Sequence, residues 1–476
     1  MRLLKNYLYN VGYQVFVLLI PLITVPYVSR VLGSEGVGIN AFTNSIIQYF
    51  VLFGSIGINL YGNRTIAYYR DDAEKTSQVF WEILFLRIIF ITISYIGFLF
   101  FLLNAKQYTN YYMYQSLFII AAGLDISWYF MGREDFKKTV TRNIMIKLVS
   151  LISIFIFVKK PEDLGAYILV LSVSTLLGNL LLWTHLKKMI YRPVWKDISV
   201  LKHLIPTITL FIPQVATQVY LVLNKTMLGV MTTTENVAYF EQSDKIVKII
   251  LAVVTAVGTV MLPRIANLHA RGSSEKVKKY MYISFDFVTA ICFPMAFGLA
   301  AIAPKFSVWF LGNEFTATAS LLPILSLVII WVGWSNVLGT QYLLPTNQTR
   351  FFTASVLIGA LVNLVVNIIL IPRYGVTGAI YSTVISEMSV SLVQFYVVRR
   401  NLKLGMLFNG TWKYFLAAGA MFFVVRHLNT IMNSSFIMFS IQMLLGALVY
   451  SLNLILLKPP VLSNVNKILK KNKTKT

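Results

Sequence analysis

Residues 80–103 read FWEILFLRIIFITISYIGFLFFLL, a run of 24 residues in which Glu82 and Arg87 are the only charged side chains. A helix needs about 20 largely apolar residues to cross the hydrocarbon core of a bilayer. A strand of a membrane barrel would instead show about ten residues of alternating polarity. The run therefore predicts a transmembrane helix.

Thirteen further apolar runs of similar character predict an all-α integral membrane protein with about fourteen transmembrane helices. The predicted spans are 8–30, 38–60, 80–103, 111–131, 143–158, 164–184, 205–231, 237–262, 281–304, 317–343, 352–371, 376–398, 412–427 and 435–457. The runs at 143–158 and 412–427 are shorter than a full span. The first run is too long for a signal peptide and has no small-residue cleavage site after it, so we expect it to be retained.

The composition excludes several other classes of protein. Hydrophobic residues make up 57% of the chain and charged residues 13%, against roughly 25% charged in soluble domains. A soluble enzyme of this size would lack polar surface, and a disordered chain would be poor in apolar residues. A scaffold built on disulfides needs paired cysteines, whereas this chain has Cys292 alone.

The positive charge of the chain predicts its orientation. Of the 42 Lys and Arg residues, 30 fall on the side of the fourteen-span map that holds both termini, 7 fall on the other side and 5 lie inside spans. Because cytoplasmic segments are enriched in Lys and Arg, both termini are predicted to be cytoplasmic. The net charge of +24 is then a topology signal, and no nucleic-acid partner is expected.

Short matches at an offset of about 200 residues predict an internal repeat of six helices. Residues 18–21 (LLIP) resemble 210–213 (LFIP), 32–33 resemble 228–229, and Arg64 corresponds to Arg264. We predict an N-lobe at 1–190 (spans 1–6), a C-lobe at 200–400 (spans 7–12), two extra helices at 411–457 and a basic cytoplasmic tail at 458–476. An even number of spans per repeat puts the pseudo-twofold axis along the membrane normal, with a cavity between the lobes.

The segments between the spans leave no room for a soluble catalytic domain, and no GxxxxGK[ST] motif is present. The four histidines, at 185, 203, 269 and 427, lack the spacing of metal ligands. The sequence therefore predicts neither ATP hydrolysis within this chain nor a metal site.

The densest charge cluster inside a predicted span lies on span 8, where Glu241/Lys245 and Asp244/Lys248 are i,i+4 pairs with the acid first. A charged residue at the centre of a membrane helix costs about 2.5–3.5 kcal/mol on insertion scales, so such residues persist where they meet water, a partner or a ligand. The pairs are interpreted either as a polar stripe that lines a cavity or as self-neutralising pairs near the outer interface.

The repeat brings further polar residues to a similar depth. Asn40, Asn44 and Gln48 are spaced i, i+4, i+8 and form one stripe on span 2, while Arg30 ends span 1 and Lys225 lies on span 7. Spans 1, 2, 7 and 8 thus bring polar or cationic groups to similar depths, as a central cavity between the two lobes would require.

Other charged residues inside spans are candidates for ion coupling or for structural pairs. An Asp125–Lys147 or Asp125–Arg87 bridge is predicted near the inner side of the N-lobe. Glu387, on span 12, is interpreted either as a carrier of a proton or sodium ion or as part of an interhelical contact with Asn363 and Asn367. Glu241 and Asp244 are the remaining candidates for ion coupling.

Five stretches of the chain resemble a known family. They are VPYVSRVLGSEG at 25–36, LDISWY at 124–129, YFEQSDKI at 239–246, VMLPR at 260–264 and GALVN at 359–363 followed by Asn367. Together they are similar to the polysaccharide-repeat-unit (Wzx-type) flippases of the multidrug/oligosaccharidyl-lipid/polysaccharide (MOP) exporter superfamily.

The resemblance implies fourteen helices in two six-helix lobes plus two, in the bacterial cytoplasmic membrane. It implies translocation of an undecaprenyl-diphosphate-linked oligosaccharide to the outer leaflet for capsule, exopolysaccharide or O-antigen synthesis, with a polysaccharide polymerase and export machinery as partners. Alternating access of a cationic cavity would move the head group while the lipid tail stays in the bilayer. For such a substrate we interpret Arg30, Lys225, Lys245 and Lys248 as contacts for phosphate or acidic sugars, and Asn40, Asn44 and Gln48 as hydrogen-bonding groups for sugars. The resemblance thus implies a transporter rather than an enzyme, without a cofactor or metal, with coupling to an H⁺ or Na⁺ gradient left open. The alternatives are a lipid II flippase, a drug/cation antiporter of the same superfamily and, less well supported, a membrane polysaccharide polymerase.

Overall fold

The computed structural model describes residues 2–186, 189–193 and 195–463. Throughout these ranges the chain forms helices and turns without a strand, which confirms the predicted fold class. The first half contains α1 (Arg2–Ser55), α2 (Ile58–Tyr69), α3 (Ala73–Asn104), α4 (Thr109–Leu124), α5 (Ser127–Gly132), α6 (Phe136–Phe157), α7 (Leu164–Thr184) and α8 (Leu204–Met231). The second half contains α9 (Thr234–Ala270), α10 (Ser274–Leu311), α11 (Thr318–Leu325), α12 (Val328–Ser335), α13 (Thr349–Tyr374), α14 (Val376–Val398), α15 (Leu404–Leu407), α16 (Thr411–Ile431) and α17 (Phe436–Leu457).

Eleven helical segments within the described ranges are long and apolar enough to cross a membrane. The first of them, 19–69, includes the second half of predicted span 1 and all of span 2, and α8 coincides with predicted span 7. Predicted span 4 is not one helix, because it is interrupted after Leu124 and divided between α4 and α5. The chain is thus a multi-pass membrane protein, while the count of fourteen stays a prediction. Most of the predicted basic tail, residues 464–476, lies outside the described residues.

The two short predicted runs belong to longer helices. The run predicted at 143–158 is part of α6, which begins at Phe136, and the run at 412–427 is part of α16, which ends at Ile431. Polar residues at the helix ends, such as Arg142, had made both spans seem shorter in the sequence.

The first two predicted spans meet at a kink rather than at a loop. Gly33 interrupts α1 with φ 68° and ψ −177°, a backbone conformation that residues with a Cβ rarely adopt. The later span pair, α8 and α9, is likewise separated by only two residues, Thr232 and Thr233. Arg30 and Lys225 each lie shortly before one of these two breaks.

The chain divides into two compact units, Met1–Ala238 and Tyr239–Thr476. In the first unit, α1 packs against α3, α4, α6 and α8, and α4 packs against α7. One hydrophobic core of this unit includes Phe80, Trp128 and Tyr129, all fully buried. Gly62 allows α2 to approach this core, because a Cβ at that position would lie 2.6 Å from the Trp128 ring.

In the second unit, α10 packs against α11, α12, α16 and α17, and α13 packs along α14. Buried polar side chains join the last pair: Ser386 donates to the Gly359 carbonyl oxygen at 2.6 Å and Ser382 donates to the Asn363 carbonyl oxygen at 2.9 Å. Small residues and interhelical hydrogen bonds of this kind let membrane helices approach closely.

Candidate functional site

A break between α4 and α5 organises the polar interior of the first unit. The helix α4 ends at Leu124, and Asp125 adopts an extended conformation. The Asp125 carboxylate accepts a hydrogen bond from the Ser127 backbone N–H at 2.9 Å, where α5 begins. The end of a helix leaves carbonyl oxygens without partners within the helix, and within a membrane these need other donors.

Side chains of α7 provide two of those donors. The Asn179 side chain donates to the Ala121 carbonyl oxygen at 2.6 Å, and the Trp183 indole donates to the Leu124 carbonyl oxygen at 2.8 Å. Both acceptors belong to the last turn of α4. The break at Asp125 is therefore held open by specific hydrogen bonds from a neighbouring helix.

Two arginines complete the network at the break. Arg87 donates from Nη1 to the Asp125 carbonyl oxygen at 2.6 Å and to Asn59 Oδ1 at 3.0 Å. Arg142 lies 3.6 Å from the Asp125 carboxylate and donates to the Asn179 side-chain oxygen. The carboxylate thus forms its ion pair with Arg142, in place of the bridge to Lys147 or Arg87 that the sequence predicted.

A cavity of about 370 Å³ opens beside this network, lined by residues of the first unit alone. Its charged residues are Arg87, Arg142, Lys147 and Asp125. Uncharged polar side chains complete the wall: Gln48, Ser55, Asn59, Asn143, Thr175 and Asn179. We call this cavity the Arg87–Arg142 pocket. It can offer cationic and neutral hydrogen-bond donors to a polar ligand.

The three residues of the predicted stripe on span 2, Asn40, Asn44 and Gln48, lie in different surroundings. Gln48 lines the Arg87–Arg142 pocket. Asn40 accepts a hydrogen bond at 3.1 Å from Gln115, a fully buried residue of α4, and Asn44 is half-buried. Their predicted role in sugar binding stays a prediction, and Asn40 also has a structural contact inside the unit.

The predicted pairs on α9 are formed. Lys245 Nζ lies 3.1 Å from Glu241 Oε1, and Lys248 Nζ lies 2.6 Å from Asp244 Oδ2. The two lysines are more exposed than the two acids, at 36% and 50% against 14% and 19% of the side chain. Each acid is therefore the more buried partner, and each lysine can reach a polar environment.

The remaining predicted site residues lie apart in the chain and make other contacts. Arg30 is exposed on α1 and Lys225 is half-buried on α8; both have interaction partners. Glu387 is half-buried on α14, while Asn367 donates to Asn363 at 3.0 Å and Asn363 donates to Ser382 at 3.2 Å. These amides form an interhelical contact, and the roles of Arg30, Lys225 and Glu387 in substrate or ion binding stay predictions.

Sequence reasoning missed Arg142 as a site residue. The topology map counted it among the cytoplasmic cations just before a span that was too short, yet it lies in the second turn of α6 and is 9% exposed. The shortness of the predicted run was the available signal, because extending the helix by two turns brings Arg142 into it.

A second polar cluster was also missed. His203 contacts the Tyr61 hydroxyl at 2.6 Å through Nδ1 and Glu82 Oε2 at 2.8 Å through Nε2. Lys202 donates to Glu82 Oε1 at 2.8 Å. The sequence indicated that the four histidines were loop or interfacial residues, whereas His203 is 4% exposed. Neither this cluster nor any other part of the described ranges has a group of three or more His, Cys, Asp or Glu residues that could hold a metal ion.

A family model described as "Polysaccharide biosynthesis protein" matches residues 3–269, more than half of the chain. Two similar proteins are named as O-antigen transporters. The one from Shigella dysenteriae is 26% identical over 80% of this chain and 96% of its own length. The one from Escherichia coli K12 is 24% identical over 84% of this chain and 98% of its own length.

Solved structures with the same fold include transporters. The lipid II flippase MurJ in an inward closed conformation matches with a TM-score of 0.77 at 16% identity, over 94% of this chain and 98% of that one. An inward-facing multidrug resistance MATE family transporter of the MOP superfamily matches with a TM-score of 0.63 at 15% identity, over 80% of this chain and 94% of that one. At these identities the likeness shows the fold.

Proposed function

The chain belongs to the polysaccharide biosynthesis protein family, and from that premise we propose that it is a flippase for lipid-linked oligosaccharides. This agrees with the family resemblance seen in the sequence. The observation that carries the proposal is the match to two O-antigen transporters over nearly their whole length. We infer that the substrate is an undecaprenyl-diphosphate-linked repeat unit, moved from the cytoplasmic to the outer leaflet.

The physical requirements of such a substrate fit the residues of this chain. A diphosphate is anionic and a sugar chain is polar, so both need cations and hydrogen-bonding groups inside an apolar wall. The helices supply cations at Lys245 and Lys248 and amide groups at Asn44 and Gln48. Transport of this kind breaks no covalent bond, which agrees with relatives that are named as transporters.

We further propose that the flippase works by alternating access, with a polysaccharide polymerase acting on its product. Coupling to an H⁺ or Na⁺ gradient through Glu241, Asp244 or Glu387 belongs to the same proposal. An acidic side chain within a membrane helix is a site where proton or ion binding changes the energy of the helix.

Deletion of the gene in its host provides the test. We expect a lipid-linked oligosaccharide repeat unit to accumulate in the membrane, to be identified by mass spectrometry of extracted lipids, and to disappear when the wild-type gene is restored. Accumulation of lipid II instead would support the alternative of a lipid II flippase, which the fold also permits. Unchanged lipid-linked intermediates would overturn both.

A further inference from the structure

The Arg87–Arg142 pocket carries more positive charge than its own carboxylate can neutralise. Among the described residues that line it, Arg87, Arg142 and Lys147 are cations and Asp125 is the one acid. Arg87 is 1% exposed and Arg142 is 9% exposed. Because burying an unpaired charge is unfavourable, such a site is stabilised by an anion that enters it.

Donor groups of these cations are left unused. Arg87 Nε and Arg142 Nε are both buried without a hydrogen-bond partner. Lys147 is half-buried and has no hydrogen bond or ion pair with any residue of the described ranges. Buried polar groups in proteins are nearly always satisfied, so unsatisfied donors beside a cavity indicate a ligand with acceptor atoms.

The size and chemistry of the pocket narrow the class of ligand. A cavity of about 370 Å³ is within the range of roughly 300–1,000 Å³ that small-molecule sites occupy. Arginine side chains match the spacing of phosphate oxygens and form charge-assisted hydrogen bonds with them. Asn143 and Thr175 add neutral hydrogen-bonding groups to the same wall.

We propose that the Arg87–Arg142 pocket is a binding site for a phosphate-bearing anion. In the predicted orientation it lies in the cytoplasmic half of the first unit. We take the diphosphate of the lipid-linked substrate as the source of that phosphate, and this part of the inference rests on the proposed function. The pocket would then hold the head group while it is still on the cytoplasmic side.

Binding to the purified full-length protein tests the site. Inorganic diphosphate and farnesyl diphosphate are titrated into protein in a neutral detergent, and affinity is measured by calorimetry. The variant is Lys147→Gln, because Lys147 makes no hydrogen bond or ion pair within the described ranges that the folded protein would lose. The matched control is Lys137→Gln, which removes the same charge from an exposed position of the same helix.

We expect the wild type and Lys137→Gln to bind both probes equally well. We expect Lys147→Gln to bind them about ten- to hundredfold more weakly, the range for loss of one hydrogen bond to a charged group. Arg142→Gln should weaken binding as well. Equal affinity in all four proteins would overturn the proposal. A wild type that binds neither probe and gains no stability from phosphatidylglycerol would overturn it as well.

A third arm distinguishes the source of the phosphate. Thermal unfolding is compared in nanodiscs of phosphatidylglycerol and of phosphatidylcholine. Phosphatidylglycerol could stabilise the wild type but not Lys147→Gln, while neither protein binds diphosphate. That result would show that the pocket binds an anionic lipid head group and that the diphosphate of the substrate is not its ligand. Failure of the proposed function would be a different result: gene deletion would leave lipid-linked intermediates unchanged while the purified protein still binds diphosphate.

Discussion

Arg87 donates a hydrogen bond to the backbone carbonyl oxygen of Asp125 at 2.6 Å, so a fully buried cation is bound to the end of a broken helix. The Asp125 side chain remains available to Arg142 and to the Ser127 N–H. A single residue between α4 and α5 therefore uses its carbonyl and its carboxylate for different partners. This division explains why the break can persist inside an apolar unit.

Loss of one donor at the break should destabilise the first unit. Trp183→Phe keeps an aromatic side chain, though a smaller one, and removes the indole N–H from which the Leu124 carbonyl oxygen accepts a hydrogen bond. An unsatisfied buried acceptor costs about 1–3 kcal/mol, so thermal unfolding in detergent should begin at a lower temperature. The control is Trp195→Phe, since Trp195 is 73% exposed and should tolerate the change within about 0.5 kcal/mol. Equal stability of the two variants would contradict this role for Trp183.

Close packing of α2 on the aromatic core gives a second prediction. Gly62→Ala would place a Cβ 2.6 Å from the Trp128 ring, and we expect a loss of about 1–3 kcal/mol from overpacking. Gly419→Ala is the matched control, because no atom lies within 4 Å of a Cβ there. Chemical unfolding followed by tryptophan fluorescence measures both. If Gly62→Ala left the free energy of unfolding unchanged, α2 would be able to move away from the Trp128 ring without loss of stability.

The architecture could be predicted from the sequence to a greater extent than the site. Long apolar runs such as 80–103 identify membrane helices because the bilayer requires that length. The break at Asp125 gave no comparable signal, since residues 111–131 contain neither proline nor a charged cluster. Its position depends on donors from Asn179 and Trp183, which lie more than 50 residues away. Contacts of that range are absent from local sequence patterns.

The environment of His203 predicts a dependence of stability on pH. Burial lowers the pKa of His203 below its usual value of 6.5, while the Glu82 carboxylate partly opposes the shift. The unfolded chain therefore binds a proton at a higher pH than the folded protein does. Stability should fall as the pH decreases below about 6.5.

Thermal unfolding between pH 7.5 and 5.5 measures this effect. His203→Asn should show a smaller decrease over that range than the wild type. The control His427→Asn removes an exposed histidine and should leave the decrease unchanged. A His203→Asn profile with the wild-type slope would assign the pH dependence to other groups.

Variants of the Glu241–Lys245 ion pair can distinguish a lysine that contacts the substrate from a lysine that only pairs with Glu241. We expect Lys245→Ala to reduce polymer export at least about tenfold while the amount of protein in the membrane is unchanged. Arg30→Ala is expected to have the same effect. The wild-type pair is separated by 3.1 Å. The exchange Glu241→Lys with Lys245→Glu keeps opposite charges four residues apart but moves the positive charge to position 241. Restored export in the exchange variant would identify a structural pair, and normal export in both alanine variants would remove the predicted cationic contacts.

Cysteine labelling can test the predicted orientation with little background. Cys292 is the sole cysteine of the chain and is fully buried, so a membrane-impermeant thiol reagent should leave the wild type unlabelled. Lys160 and Lys137 are both exposed, and the fourteen-span map puts them on opposite sides of the membrane. In intact cells we expect labelling of Lys160→Cys alone, and in opened membranes labelling of both variants. Equal labelling of the two variants in intact cells would break the map, because α6, which begins at Phe136 and ends at Phe157, would then have both ends on one side.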